Sequence, residues 1–163
     1  MKHTLLPILL FIIAAQNTMA HATSRFDEVK PAVIDFFKRS AGNPKDCALL
    51  KDANAKNPQD EQTRMLMVGF CDSDIDFTKP VTFSAMSSHE FQGQRYICGV
   101  ISGETSLGNK MGARFISAEP AHLVVGYKFS RRPIVFSANN DFLVDEFRAQ
   151  VKQFNDLDAR VCH

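Results

Sequence analysis

The chain has 163 residues, with 19 basic and 18 acidic side chains and a formal net charge of +1. A nearly neutral protein gains little attraction to nucleic acid or to an anionic membrane surface, so the charge balance argues against both as partners. The length suffices for one domain with a substantial core, and 14 phenylalanines without tryptophan predict that phenyl rings fill it.

Residues 1–22 have the three-part pattern of a secretory signal peptide. A basic start precedes the apolar run Leu5–Ala15, and small residues follow at Ala20 and Ala22. The run is too short for a transmembrane helix. Cleavage after either alanine fits the pattern. We favour Ala22, which leaves residues 23–163 as a single domain. We therefore expect a periplasmic or secreted protein without an integral membrane span.

The exported part opens with a predicted helix over Asp27–Arg39. Apolar residues recur along it at three- and four-residue steps: Phe26, Val29, Val33, Phe36 and Phe37. Pro31 then lies in the first turn, where its missing N–H costs little. The polar stretch Lys51–Thr63 predicts an exposed loop, with a short helical turn at Asp46–Lys51.

Short segments rich in β-forming residues occupy the middle of the chain. They are Met65–Phe70, Val81–Ala85, Tyr96–Ser102, Arg114–Ser117, Leu123–Phe129 and Ile134–Ser137. Helical spacing returns at the end of the chain, at Leu143, Phe147, Val151, Phe154 and Leu157. The sequence therefore predicts an α+β fold. An antiparallel sheet of about five or six strands is packed by an N-terminal and a C-terminal helix, both on one face.

All four cysteines, Cys47, Cys71, Cys98 and Cys162, lie beyond the signal peptide. In an oxidising compartment an even number of cysteines predicts disulfides. Four cysteines permit three pairings, and the sequence does not choose among them. We favour Cys47–Cys71 with Cys98–Cys162, because the second bridge would fasten the terminal helix to the sheet.

The region after residue 96 contains a distinctive series of short motifs: Cys98–Gly99, Ser106–Gly108 and Gly112–Phe115. The series resembles a strand–loop–strand signature of small exported bacterial proteins of uncharacterised function. Ser102 and Thr105 stand where that signature has asparagines, and Lys110 where it has an aromatic residue. The resemblance implies a fold of this kind and assigns no activity.

The loop Ser102–Gly112 is the best candidate binding surface. Its glycines allow sharp turns or the close approach of a partner. The polar side chains it offers are Glu104, Thr105, Ser106, Asn109 and Lys110. In the alternative interpretation the glycines only shape a hairpin. The loop lacks the spacing of a phosphate-binding loop, so no nucleotide is expected.

Asp72, Asp74 and Asp76 alternate as at the start of a calcium-binding loop. Such a loop needs a glycine at its sixth position and a glutamate at its twelfth, where this chain has Phe77 and Phe83. We interpret the segment as a solvated turn, with an irregular calcium site as the alternative. No metal and no other cofactor is predicted.

Signals for catalysis are incomplete, and no catalytic residue is assigned. His89 and Glu90 begin a zinc-protease motif but lack its second histidine. Glu104 and Glu119 are candidates for a glycosidase carboxylate pair, whose separation the sequence leaves open. A cysteine nucleophile beside His89 or His122 would need a thiolate that an oxidising compartment does not preserve.

A small basic cluster, Lys128, Arg131 and Arg132, lies beside a predicted turn. We interpret it as a solvated strand end. Binding of an anion or of an acidic protein partner is the alternative.

A short exported chain with four cysteines and incomplete catalytic signals predicts a non-enzymatic binding protein of the bacterial envelope or exterior. Inhibitors, immunity proteins and secretion-system accessories have this profile, and the expected partner is another protein. Two alternatives belong to other classes. One is a small hydrolase of peptidoglycan or another envelope polymer. The other is a structural or colonisation factor that binds itself or a surface.

Overall fold

The computed structural model describes residues 26–41, 44–132 and 141–163. The elements in chain order are α1 (26–40), α2 (Pro44–Lys56), α3 (Glu61–Cys71), β1 (Thr82–Phe91), β2 (Gln94–Glu104), β3 (Lys110–Ala118), β4 (Leu123–Phe129) and α4 (Asp141–Val161). The predicted first helix agrees with α1 to within one residue at each end. The predicted signal peptide, residues 1–22, and the predicted strand Ile134–Ser137 lie outside the described residues.

The four strands form one antiparallel sheet in the order β1-β2-β3-β4. The predicted α+β class is confirmed. Four of the predicted segments fall on these strands: Val81–Ala85, Tyr96–Ser102, Arg114–Ser117 and Leu123–Phe129. The sheet of the described residues has four strands, so the predicted number of five or six is not confirmed.

The strand predicted at Met65–Phe70 is wrong, because these residues belong to α3. Asp60 begins this helix as its N-cap. The Asp60 carboxylate accepts hydrogen bonds from the Gln62 N–H at 3.1 Å and from the Thr63 hydroxyl at 2.6 Å. The predicted loop Lys51–Thr63 is also wrong, since most of it forms the end of α2 and the start of α3.

The helices α1 and α4 pack on opposite faces of the sheet, so the expectation that both cover one face is wrong. We call the first the α1 face; its buried cluster includes Val29, Val33, Phe37, Ile97, Ile101 and Phe115. We call the other the α4 face; its buried cluster is Cys98, Ile116, Phe154, Val161 and Cys162. Neighbouring residues of a strand point to opposite faces, which is why Ile97 and Cys98 enter different clusters.

Phenyl rings pack the α1 face, as the composition predicts. Phe115 is fully buried, and its ring meets that of Phe83 edge to face at 6.0 Å between centroids. Gly99 lies directly against this pair. A Cβ at that position would approach the Phe115 ring to 2.9 Å and would also collide with the Met86 sulfur. Close packing therefore requires the glycine that follows Cys98.

All four cysteines are bonded in the pairing favoured from the sequence. Cys47 of α2 is joined to Cys71 at the end of α3, and Cys98 of β2 is joined to Cys162 directly after α4. All four are buried. The second bridge fastens the C-terminal end of α4 to the sheet. A cysteine nucleophile is excluded, because no free thiol remains.

Candidate functional site

The predicted binding loop forms a tight turn between β2 and β3. Glu104 ends β2 and pairs across the hairpin with Lys110, the first residue of β3. Inside the turn, the Thr105 N–H donates to the Asn109 carbonyl at 2.8 Å, and the Gly108 N–H donates to the Thr105 carbonyl at 2.9 Å. Gly108 has a φ of 85°, which glycine adopts without strain.

Asp72 forms the centre of a polar network beneath this turn. Its Oδ1 accepts from the Thr105 hydroxyl at 2.6 Å and from the Asn109 amide at 2.9 Å. Its Oδ2 accepts from Arg131 Nη1 at 2.9 Å, and Arg131 Nη2 donates to the Asp72 carbonyl at 3.1 Å. Thr105 is completely buried. Two of the predicted contact residues, the buried Thr105 and the exposed Asn109, therefore support the turn by bonding to Asp72.

The pKa of the Asp72 carboxyl lies below its usual value, so the group is ionised at neutral pH. Burial by itself raises its pKa, but hydrogen bonds from Arg131, Thr105 and Asn109, with the positive charge of Arg131, outweigh burial and hold the pKa below its usual value. A buried carboxylate paired in this way fixes the geometry of its donors, because moving any of them would leave a charge without its partner.

A second set of contacts holds Ser106, on the outer side of the turn. The Ser106 hydroxyl donates to Asp76 Oδ2 at 3.1 Å, and the Lys51 ammonium of α2 donates to the Ser106 carbonyl. Burial raises the pKa of Asp76, but hydrogen bonds from Thr78 and Ser106 and the charge of Lys79 bring it below its usual value. The turn is therefore braced from two sides.

Glu104 and Lys110 are the charged members of the predicted set, and both are exposed beside the turn. Glu104 Oε2 accepts from Lys79 Nζ at 3.3 Å, and Lys79 Nζ also donates to the Thr105 carbonyl at 3.0 Å. Because such an exposed ion pair contributes little to stability, Glu104 is free to exchange it for a partner's group.

A wide groove of about 730 Å³ opens beside these two residues, on the part of the α4 face that the described residues of α4 leave uncovered. Its lining includes Ser102 of β2, Gly112 of β3 and Ser130 after β4, together with Glu104 and Lys110, and none of the described α4 side chains. The Gly112 N–H donates to the Ser130 hydroxyl at 3.2 Å. The short side chains of these glycine and serine residues let the backbone of a partner approach the bottom of the groove closely.

Cationic side chains outnumber anionic ones around this groove; its charged lining residues are Lys110, Arg114, Lys128 and Glu104. Arg114 is neutralised by Asp158 at 2.9 Å. Lys128 donates at 2.8 Å to the neutral side chain of Asn155, so its positive charge is not cancelled there. The groove therefore favours anionic groups.

The candidate glycosidase pair does not form a site. Glu104 lies where β2 ends, whereas Glu119 follows the far end of β3, where its Oε1 lies within hydrogen-bond distance, 2.8 Å, of His122 Nδ1. The length of β3 separates them by roughly 27 Å, at a rise of about 3.4 Å per residue. Glycosidase carboxylates lie within about 10 Å of each other.

The three alternating aspartates do not converge either. Asp72 turns toward Arg131, whereas Asp76 accepts from the Thr78 hydroxyl at 2.6 Å. The interpretation of a solvated turn is wrong for Asp72, which is buried. In the described ranges, no group of three or more His, Cys, Asp or Glu side chains is arranged to hold a metal ion.

The predicted basic cluster is dispersed. Arg131 is bound to Asp72, and Lys128 reaches α4, where its ammonium lies 5.3 Å from the centre of the Phe154 ring. Arg132 remains exposed. Sequence reasoning missed the pair of Asp72 and Arg131 because the two residues are 59 positions apart. No local pattern marks a partner at that separation.

Comparisons with protein-family models, curated proteins and solved structures find no match for this chain. Within the part of the chain that the structure describes, none of the helices combines the length and the apolar character needed to cross a membrane.

Proposed function

We propose that this chain is an exported protein of the bacterial envelope or exterior that binds a partner protein in the groove on the α4 face. The observation that carries the proposal is the position of Lys110, which lines the groove at the end of a turn held in place by Asp72. A surface that is already ordered loses less conformational entropy when it binds. Export is supported by the pattern of residues 1–22 and by two disulfides, which persist in oxidising compartments.

The chemistry of the groove favours an acidic segment of the partner. Lys110 and Lys128 retain positive charge at its rim, and Gly112 with its serine neighbours leaves the floor accessible to a backbone. An extended acidic segment would place carboxylates against the two lysines and its main chain over the small residues. Such charge complementarity governs the rate of association and the choice of partner.

The test uses the purified disulfide-bonded protein as bait in envelope extracts, followed by titration calorimetry with the partner it retains. Lys110→Glu should weaken the complex about tenfold, because it reverses a charge at the rim. Glu104→Lys should leave it equal or tighter. Glu90→Lys is the control for Glu104→Lys, since Glu90 is also exposed but lies near the opposite end of β1. Added salt should weaken binding by the wild type more than by Lys110→Glu.

Two results would count against the proposal, and they differ in meaning. If the wild-type protein retains no partner that also binds in purified form, the assignment as a binding protein is wrong. If a purified partner binds Lys110→Glu, Glu104→Lys and wild type equally well, the protein is a binding protein but the groove is not its contact surface.

A further inference from the structure

Glu104 and Lys110, the two charged residues beside the turn, lie directly opposite each other on β2 and β3. Opposite side chains of an antiparallel pair have Cβ atoms about 5 Å apart, and opposite charges so placed attract each other. Glu104 Oε2 is nevertheless paired with Lys79 Nζ at 3.3 Å, and among the described residues Lys110 takes part in no ion pair. Lys110 therefore keeps its positive charge because Glu104 is held elsewhere.

Lys79 is fixed by contacts that Lys110 lacks. Its N–H donates to the Asp76 carbonyl at 3.0 Å, and its ammonium donates to the Thr105 carbonyl at 3.0 Å as well as to Glu104. The side chain of Lys79 is 33% exposed, against 57% for Glu104. A cation that is already ordered loses less conformational entropy when it pairs with a carboxylate, which favours Lys79 over Lys110 as the partner of Glu104.

The segment that carries Lys79 is itself attached to the turn. The Asp76 N–H donates to the Glu104 carbonyl at 2.8 Å. The Asp76 carboxylate accepts from the Ser106 hydroxyl at 3.1 Å and from the Thr78 N–H at 3.0 Å. These contacts hold Lys79 at the end of β2, although Lys79 is not among the described residues that line the groove.

We propose that Lys79 is a positioning residue for the groove: it holds the Glu104 carboxylate away from Lys110, and so leaves the Lys110 ammonium available to a carboxylate of the partner. The inference rests on the proposed function, because it concerns the affinity of the same groove for an acidic segment. Without Lys79, Glu104 would pair with Lys110 and neutralise the charge at the rim. A residue outside the groove thus sets the affinity of the groove.

Acylation of lysines in the purified protein, followed by mass spectrometry, tests the position of Glu104 without any partner. Only the neutral amine reacts, and a carboxylate beside an ammonium favours its charged form. Lys79→Gln should therefore slow the modification of Lys110 about two- to fivefold, as expected for an exposed ion pair. Combining Lys79→Gln with Glu104→Gln should restore the rate to the wild-type value or above, and Lys79→Arg should keep it. Lys56→Gln is the matched control, because it removes the lysine of an ion pair at the far end of α2.

Titration calorimetry with the purified partner tests the consequence for binding. Lys79→Gln should weaken the complex about two- to fivefold. The same substitution in Glu104→Gln should leave the affinity unchanged, because no carboxylate remains to pair with Lys110. If Lys79 acted only through its own positive charge, its replacement would weaken both proteins equally, so this double-mutant cycle separates the two causes.

The proposal is overturned if Lys79→Gln leaves the reactivity of Lys110 unchanged, or if Lys79→Gln weakens the complex equally with and without Glu104. Either result leaves the proposed function intact, provided that Lys110→Glu still weakens the complex. If Lys110 becomes less reactive in Lys79→Gln but neither this variant nor Lys110→Glu alters binding, the groove is not the contact surface. The role of Lys79 in binding is then wrong together with the proposed function.

Discussion

The α1 face and the α4 face of the sheet are covered by different means. Val29, Val33 and Phe37 of α1 are buried against the sheet without any covalent link to it. The helix α4 contributes a smaller buried cluster around Phe154 and Val161, and a disulfide joins its C-terminal end to β2. The α1 face is therefore held by apolar packing alone, whereas α4 is also held by a covalent anchor, and its described residues leave part of the α4 face open.

The largest expected effect comes from the α1 face. Phe115→Ala removes a fully buried ring that packs against Phe83, and should lower the free energy of unfolding by about 3–5 kcal/mol. Phe70→Ala is the control, since Phe70 is 60% exposed in α3, and should change the free energy by less than about 1 kcal/mol. Urea unfolding measures both. Equal losses in the two variants would contradict the central role of the α1 face.

The next effect comes from the covalent anchor of α4. Replacing both Cys98 and Cys162 by alanine should destabilise the protein by about 2–4 kcal/mol, mainly by releasing a constraint on the unfolded chain. Replacing Cys47 and Cys71 should lower the stability by roughly 1 kcal/mol less than replacing Cys98 and Cys162. A disulfide that closes a longer loop constrains the unfolded chain more, and the two bridges span 24 and 64 residues.

Hydrogen exchange separates this effect from general destabilisation. Without the Cys98–Cys162 bridge, amides of α4 should lose protection first, while those of α1 remain protected. Loss of protection in α1 to the same extent would show that the two faces do not differ in the way described.

Local patterns were enough to predict much of the fold. The apolar stripe in Asp27–Arg39 predicted α1, and runs of β-forming residues predicted all four strands. The position of Cys162 after the last helix suggested a bridge to a strand. In each case the information lies within a few neighbouring residues, where the side-chain period reveals the secondary structure.

The remaining features depend on contacts that are distant in the sequence. The apolar run Met65–Phe70 is too short to distinguish a strand from a helix. The N-cap at Asp60, which starts α3, favours the helix. Residues on both faces of β2 are buried, so the sequence of this strand does not indicate which helix packs on which face. Of the predicted loop Ser102–Gly112, residues 105–109 form the turn, and the rest belongs to β2 and β3. The role of Thr105 and Asn109 depends on Asp72, which lies more than 30 residues away.

The smallest expected effect concerns the turn itself and depends on pH. The pKa of Asp72 is lower in the folded protein than the usual value near 3.9. Its stabilisation is therefore fully present above about pH 4, and is lost as the pH falls through the folded-state pKa. Asp72→Asn should lower the free energy of unfolding at pH 7 by about 1–2 kcal/mol. The effect is modest because Arg131 is partly exposed, so solvent screens its charge.

Acid titration distinguishes a charge effect from a simple loss of packing. The stability difference between wild type and Asp72→Asn should shrink as the pH falls below about 4, because the wild-type carboxyl then also becomes neutral. Both proteins should still lose stability in acid, since the pKa of Asp76 is lowered as well. A difference that stays constant down to about pH 2 would mean that Asp72 holds the turn by shape and hydrogen bonding alone, without its charge.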